Sequence, residues 1–237
     1  MRRPYFGLLL LLIGKEIIME NKKILMYYNL LPWSVQVHSF HASGYIAELY
    51  KCAKQLNLFP DLNDIHSVER ALETGALLHD LGKIIFSAYI LNGKQKLDEF
   101  EWFYMRRHPA YAAHLIERDF SLEDLETHEF KVLINIIKYH HERWDGKGYP
   151  YGLLGAEIPA EAQLCSVADA FDAMTTDRSY KKSISPHQAF EVMLEESGRQ
   201  FSPASIECLS AARESMLERY RMYQEIQSCD MVKVMFK

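Results

Sequence analysis

The sequence predicts an all-α fold, and three observations carry that prediction. Apolar residues recur at helical spacing along most of the 237 residues, and alternating strand patterns are scarce. Ser185-Pro186 and Ser202-Pro203 each read as an N-cap followed by a proline suited to the first helical turn. Hydrophobic residues make up 49% of the chain, enough for a substantial core, and no repeat, low-complexity linker or second domain interrupts it.

The first predicted helix covers residues 38–57, with Tyr45, Ile46, Leu49 and Ala53 on its apolar face. A second spans 66–81 and buries Ala71, Leu72, Ala76 and Leu78. Residues 83–97, which contain Asn92-Gly93-Lys94, read as a loop. Helices follow at 98–106 and 109–118, the latter opened by Pro109. Residues 129–143 make a strongly apolar helix, whose stripe of Leu133, Ile136 and Ile137 ends in His140. The Gly/Pro segment 145–159 is a loop, and helices at 160–175, 186–197 and 203–227 complete the chain. The last helix has two open readings: packing on the domain, or pairing with a second copy as a homodimer.

Composition narrows the function. Lys and Arg number 27 against 32 Asp and Glu, a net charge of −5, and the basic residues are scattered. That pattern argues against a nucleic-acid polymer as the main partner, though not against a small anionic ligand. Cys52, Cys165, Cys208 and Cys229 lie far apart with no CxxC, which suits reduced thiols in a cytoplasm. The apolar run from Tyr5 to Ile13 is too short to span a bilayer and lacks an A-x-A-like cleavage site. Lys15-Glu16 can be encoded AAGGAG, a ribosome-binding sequence shortly ahead of Met19. Residues 1–18 are therefore read as an extension ahead of a start at Met19, or as a disordered N-terminus.

Two polar stretches end apolar helices. In HDLGK, His79 and Asp80 follow Ala76-Leu77-Leu78. In HHERWDGKGYP, His140 and His141 close the 129–143 stripe. Burying a His-Asp pair without partners is costly. A metal ion is one such partner, and imidazole with carboxylate is a good ligand set for it. Asp169, inside the apolar SVADAFDAM, extends the set. His108 in RRHPA reads alone as a capping histidine. His38 and His41 lie one turn apart and can face one site. His66, His114, His128 and His187 lack such context and are read as surface or structural.

HDLGK, HP, HHERWDGKGYP, VADAFDAMTTDRSYKK and SGRQF, in this order, resemble an HD-GYP domain, a branch of the HD metal-dependent phosphohydrolases. The resemblance covers residues 38–210 and frames residues 19–37 as an N-terminal segment and 211–237 as a C-terminal helix and tail. It implies a single HD-type helical bundle with a Gly/Pro-rich loop. It implies a phosphodiesterase that hydrolyses cyclic di-GMP, or the mixed cyclic GMP-AMP, by attack of a hydroxide held between metals. The implied metal ligands are His41, His79, Asp80, His108, His140, His141 and Asp169, with Asp80 shared between two ions and His38 the rival of His41. Lys83 would contact phosphate or assist the leaving group; its alternative role is a helix C-terminal cation. Tyr149, Asp172, Arg178 and Lys181 would bind substrate. Glu142 and Asp145 would brace the loop.

Trinuclear members place a glutamate one turn before the first histidine; here the position holds Val37, or Ser34 if His38 is the ligand. Two ions are therefore expected, and the thiolate-free set suits Fe(II) or Mn(II). QFSP stands where the family has QFDP, with Ser202 as a helix cap. Two other readings stay open: a metal-bearing cyclic-dinucleotide adaptor that has lost turnover, and an HD hydrolase of another nucleotide. Under any of these readings, control by expression or by separate regulatory proteins is expected.

Overall fold

The computed structural model describes residues 22–63, 67–91, 97–119, 127–177 and 182–228, and among these it is all-helical. Residues 1–18, His66 and Cys229 lie outside the described residues. Helix α1 (Lys22–Leu30) leads into the long α2 (Trp33–Gln55), the short α3 (Pro60–Asn63) and α4 (Val68–Leu78). A 3-10 turn (Leu81–Ile85), α5 (Ala88–Leu91), α6 (Glu99–Met105), α7 (His108–Asp119) and α8 (Thr127–Tyr139) follow. A second 3-10 turn (Gly155–Glu157) precedes α9 (Ala160–Thr175), α10 (Pro186–Glu195), α11 (Pro203–Ala211) and α12 (Arg213–Ser228).

Helix α2 is the central pillar. It packs on α4, α9, α11 and α12, while α8 packs on α4, α7 and α9. The stripes read from the sequence are the ones that bury: Tyr45, Ile46, Leu49 and Ala53 of α2; Ala71, Leu72, Ala76 and Leu78 of α4; Leu133, Ile136 and Ile137 of α8. Each sits at helical spacing, so one face of each helix leaves water together. The expected caps are in place. Ser185 Oγ accepts from Gln188 N at 3.2 Å, and Ser202 Oγ accepts from Ser205 N at 3.1 Å.

Several elements differ from the sequence reading. Helix α2 starts at Trp33 rather than residue 38, because Pro32 sits at the N-cap with φ −55° and ψ 146° and sets the boundary. Helix α1 is an addition; its two buried anchors, Ile24 and Tyr28, make too short a pattern for periodicity to flag. The predicted 203–227 helix is two, broken at Ala212, where no glycine or proline announces the break. Of the expected 83–97 loop, residues 81–91 carry two short helical turns, and 92–96 lie outside the described residues. Helix α12 packs on α2 of its own chain, and Gly44 is what lets it: a Cβ there would collide with the Tyr223 hydroxyl. Among the described residues, no helix is long and apolar enough to cross a membrane. Cys52, Cys165 and Cys208 are unpaired thiols.

Gly82 joins fold to site. A Cβ on it would overlap the carbonyl oxygen of His108 and lie 2.9 Å from Ala112 N. The turn after α4 therefore packs backbone-to-backbone on the start of α7, a contact only glycine allows. Gly82→Ala should lower the stability of the metal-free protein by about 1–3 kcal/mol. It should also reduce bound divalent metal per chain. Urea unfolding and elemental analysis check the two effects.

Candidate metal centre

Five helices deliver the polar cluster. Helix α4 ends in His79 and Asp80, α7 begins at His108, α8 runs out into His140 and His141, and α9 carries Asp169. Helix α2 contributes His38. Two groups have ligand atoms mutually within 4.8 Å: Asp80, His108, His140 and His141, and separately His38, His79 and Asp169. The Asp80 carboxylate stands between them. Its Oδ1 lies 3.2 Å from His108 Nε2, and its Oδ2 lies 3.5 Å from His79 Nε2 and 3.9 Å from His38 Nε2.

The tautomers follow from the backbone. His79 Nδ1 donates to Ala76 O at 2.6 Å, His108 Nδ1 to Met105 O at 2.8 Å and His140 Nδ1 to Ile136 O at 3.1 Å. A carbonyl only accepts, so each of these nitrogens carries the ring proton. The Nε2 atoms are then bare lone pairs in the neutral ring. Those of His108 and His140 face each other across 3.3 Å. His79 Nε2 and Asp80 Oδ1 are buried with no hydrogen-bond partner. Buried lone pairs aimed at one another repel, and a cation between them removes the conflict. The donor set therefore fits divalent metal.

Electrostatics keeps the donors in ligating form. Burial pushes the His140 imidazole well below its usual range, aided by His141 and His79. Burial, then His108, pushes His141 down to about 3. Burial alone would raise the Asp80 carboxyl, but Lys83 and His79 overcome it and hold it well below the carboxylate range. Lys83 Nζ lies 2.5 Å from Asp80 Oδ2. Asp169 is likewise held low, against burial, by His38. Neutral imidazoles and ionised carboxylates are the forms that bind metal without first losing a proton.

Two residues sit differently from the sequence expectation. His41 is not in either group. Its Nδ1 meets Asp172 Oδ1 at 2.7 Å, its ring stacks on Tyr223 at 4.2 Å, and its Nε2 lies 3.3 Å from Gln227 Nε2. One turn of helix separates His38 from His41, and that turn decides which reaches the centre. Asp172, expected to bind substrate, is turned inward. It is 1% exposed, its Oδ2 takes His38 Nδ1 at 2.6 Å, and its Oδ1 also accepts from Thr176 Oγ1 at 3.1 Å. It therefore orients the imidazole of His38, as carboxylates behind metal-binding histidines do. Arg178 and Lys181 lie outside the described residues. His114, His128 and His187 are exposed.

The GKGYP loop borders the centre because the backbone folds back on itself. A Cβ on Gly148 would collide with Arg143 N, so only glycine permits the approach. Tyr149 N then donates to His141 O at 3.2 Å, and the two rings lie 4.6 Å apart. Glu142, 2% exposed, accepts from Tyr151 N at 2.7 Å and Leu153 N at 3.0 Å. SGRQF clamps the loop from outside: Trp144 N and Asp145 N donate to Gln200 O and Arg199 O at 3.1 and 2.8 Å. Arg143 and Asp145 pair at 2.9 Å beside it.

The sequence profile of the HD domain family matches residues 34–204. The chain belongs to the HD domain family. It is related to the HD-GYP type of cyclic-dinucleotide phosphodiesterases. The cyclic di-GMP phosphodiesterase response regulator RpfG of Xanthomonas campestris is 38% identical over 144 residues, which cover 61% of this chain and 36% of that protein. The 3′3′-cGAMP-specific phosphodiesterase 2 of Vibrio cholerae is 35% identical over 138 residues, 58% of this chain and 25% of that one. This chain thus spans about a third or less of these two relatives. Among solved structures, an HDG"Y"P protein of Bdellovibrio bacteriovorus shares the fold with a TM-score of 0.52 at 20% identity, over 76% of this chain and 52% of that one.

Asp172→Ala should leave His38 without its carboxylate and weaken divalent-metal affinity by roughly ten- to a hundredfold. Competition against a fluorescent chelator measures it. Gly148→Ala should leave metal affinity within about twofold while shifting Tyr149 off His141, read by NMR of the His141 ring protons.

Proposed function

We propose that this HD domain is a metal-dependent phosphodiesterase of a cyclic dinucleotide, acting on cyclic di-GMP to give linear pGpG or, further, GMP. The observation that carries the reading is Asp80 standing between two imidazole–carboxylate groups, with the loop tyrosine of GKGYP lying on His141. Two ions are proposed, one held by His38, His79 and Asp169 and the other by His108, His140 and His141, with Asp80 shared. Fe(II) or Mn(II) suits this nitrogen and oxygen set, which contains no thiolate. When bound, such ions supply Lewis acidity toward a phosphoryl oxygen and lower the pKa of water.

The chain's own groups do the rest. Burial keeps His79, His140 and His141 neutral, so their lone pairs are available at neutral pH. Lys83 Nζ, beside Asp80 Oδ2, is proposed to contact the phosphate and to donate a proton to the leaving 3′-oxygen. Tyr149 walls the site from the loop side. Arg178 and Lys181 are proposed to bind phosphate or guanine; arginine suits both, through paired N–H donors and a stacking plane. A second substrate, 3′3′-cGAMP, is favoured by one specific finding, the 35% identity to a Vibrio cholerae phosphodiesterase specific for it.

Anaerobically purified chain, loaded with Fe(II) or Mn(II), should convert cyclic di-GMP to pGpG or GMP, separated by chromatography. Asp80→Ala should lose both metal loading and turnover. Full activity in that variant would remove the central claim. A kcat/KM for 3′3′-cGAMP at least tenfold above that for cyclic di-GMP would select the second substrate. Binding of either dinucleotide without product would make the chain an adaptor.

A further inference from the structure

Helix α6 leaves most of its apolar surface uncovered. Its capping box is complete, with Asp98 Oδ1 accepting from Glu101 N at 2.7 Å and Asp98 N donating to Glu101 Oε2 at 3.0 Å. Yet of its seven residues only Met105 is buried, and Phe100, Trp102, Phe103 and Tyr104 all face solvent. A capped helix that exposes four aromatic side chains together marks a binding surface rather than a core element. Two arginines follow at once, Arg106 and Arg107, directly before His108.

These arginines are unlike most others in the chain. Arg70, Arg118, Arg143, Arg199, Arg213 and Arg219 each hold a carboxylate. Among the described residues no carboxylate pairs with Arg106 or Arg107; their neighbours are rings. The Arg106 guanidinium lies 5.5 Å from the Tyr149 ring centre and 5.9 Å from that of Trp102. Tyr149 in turn lies 4.6 Å from the His141 ring. A continuous track therefore runs from the metal centre outward through Tyr149 and Arg106 to Trp102. Its chemistry alternates π faces with an uncompensated cation.

We propose that Trp102 and Arg106 form the subsite for the distal nucleotide of the substrate, the one whose phosphate is not at the metal centre. This rests on the cyclic-dinucleotide reading above. Trp102 would stack on the distal base. Arg106 would donate its N–H groups to that base's acceptor edge or to the second phosphate, held in direction by Tyr149. Aromatic faces take bases by stacking, and guanidinium takes both phosphate and the O6/N7 edge of guanine. A mononucleotide diester would reach the metals but not this track, so the subsite gives a physical reason for a dinucleotide substrate.

The test uses the full metal-loaded chain with Trp102→Ala, Arg106→Ala and Arg106→Lys. KM for cyclic di-GMP should rise roughly tenfold in both alanine variants, equivalent to about 1.4 kcal/mol. The fall in kcat should be smaller. Metal content and thermal midpoint should match the parent, because both side chains are exposed. Arg106→Lys should recover only part of the loss, since an ammonium keeps the charge without the planar donors. Independently of turnover, a phosphorothioate analogue of cyclic di-GMP should quench tryptophan fluorescence in the parent, and that quenching should shrink in Trp102→Phe. If the parent hydrolyses cyclic di-GMP and the variants keep its KM within twofold, the subsite is overturned and the proposed activity stands. The subsite is likewise overturned if the variants change only the sedimentation of the protein, which would make α6 a protein interface. If the parent neither binds nor hydrolyses any cyclic dinucleotide, the activity itself fails, and the subsite with it.

Discussion

The rest of the structure depends on one constraint: several buried imidazoles have their ring protons committed to backbone carbonyls. With Nδ1 of His79, His108 and His140 donating to Ala76, Met105 and Ile136, the opposite nitrogens must point inward as lone pairs. Nothing in an apolar core satisfies several lone pairs and a shared carboxylate gathered in one place. The helices must then be held firmly enough to keep these atoms together, since the atoms themselves do not attract one another. That explains why the buried apolar stripes of α2, α4 and α8 lead straight into the polar cluster. It also explains Gly82, where the chain gives up a side chain so that α7 can seat His108 against Asp80.

The two halves of the centre are built with different materials. His108 and His140 are oriented by carbonyls alone, and Asp80 is their one carboxylate. In the other half, His38 is oriented by the carboxylate of Asp172, and Asp169 adds a second charge in contact with the ring. A carboxylate behind an imidazole makes it a more basic ligand than a carbonyl does. Asp172 is held by two imidazoles and a hydroxyl, so it stays ionised inside the protein. Through His41, Tyr223 and Gln227, that arrangement reaches helix α12. The C-terminal helix is thus packed against the outer layer of the centre, although it follows the segment that defines the family.

How much of this is legible in the sequence follows from which residues act through pattern and which through register. The stripes of α2, α4 and α8 are legible because helical periodicity is a property of many residues at once. HDLGK and HHERWDGKGYP are legible because polar pairs ending an apolar face demand partners. The choice between His38 and His41 is not. Both lie on the buried side of α2, and the deciding fact is which one meets Asp169 across the helix pair, a tertiary register that spacing along one chain does not contain. The placement of Asp172 is illegible for a related reason: a carboxylate one turn from Asp169 can face the neighbouring imidazoles or the opposite side, and only the packing of α9 on α2 sets it against His38 and His41. The split at Ala212 and the helix α1 carry no capping residue or long stripe to announce them.

The motif HHERWDGKGYP can now be read as one mechanical unit. The apolar face of α8 fixes where His140 and His141 point. Glu142 turns inward and takes two amides of the returning loop, so the chain reverses without leaving donors unpaired. Gly148 admits that return, and SGRQF fastens the outer edge through Trp144 and Asp145. The product of these contacts is the position of a single ring, Tyr149, which touches a cluster histidine on one side and the cation of Arg106 on the other. Residues distant in the sequence are therefore coupled by one geometric requirement. Any change that lets the loop relax moves the wall of the centre and the head of the aromatic track together.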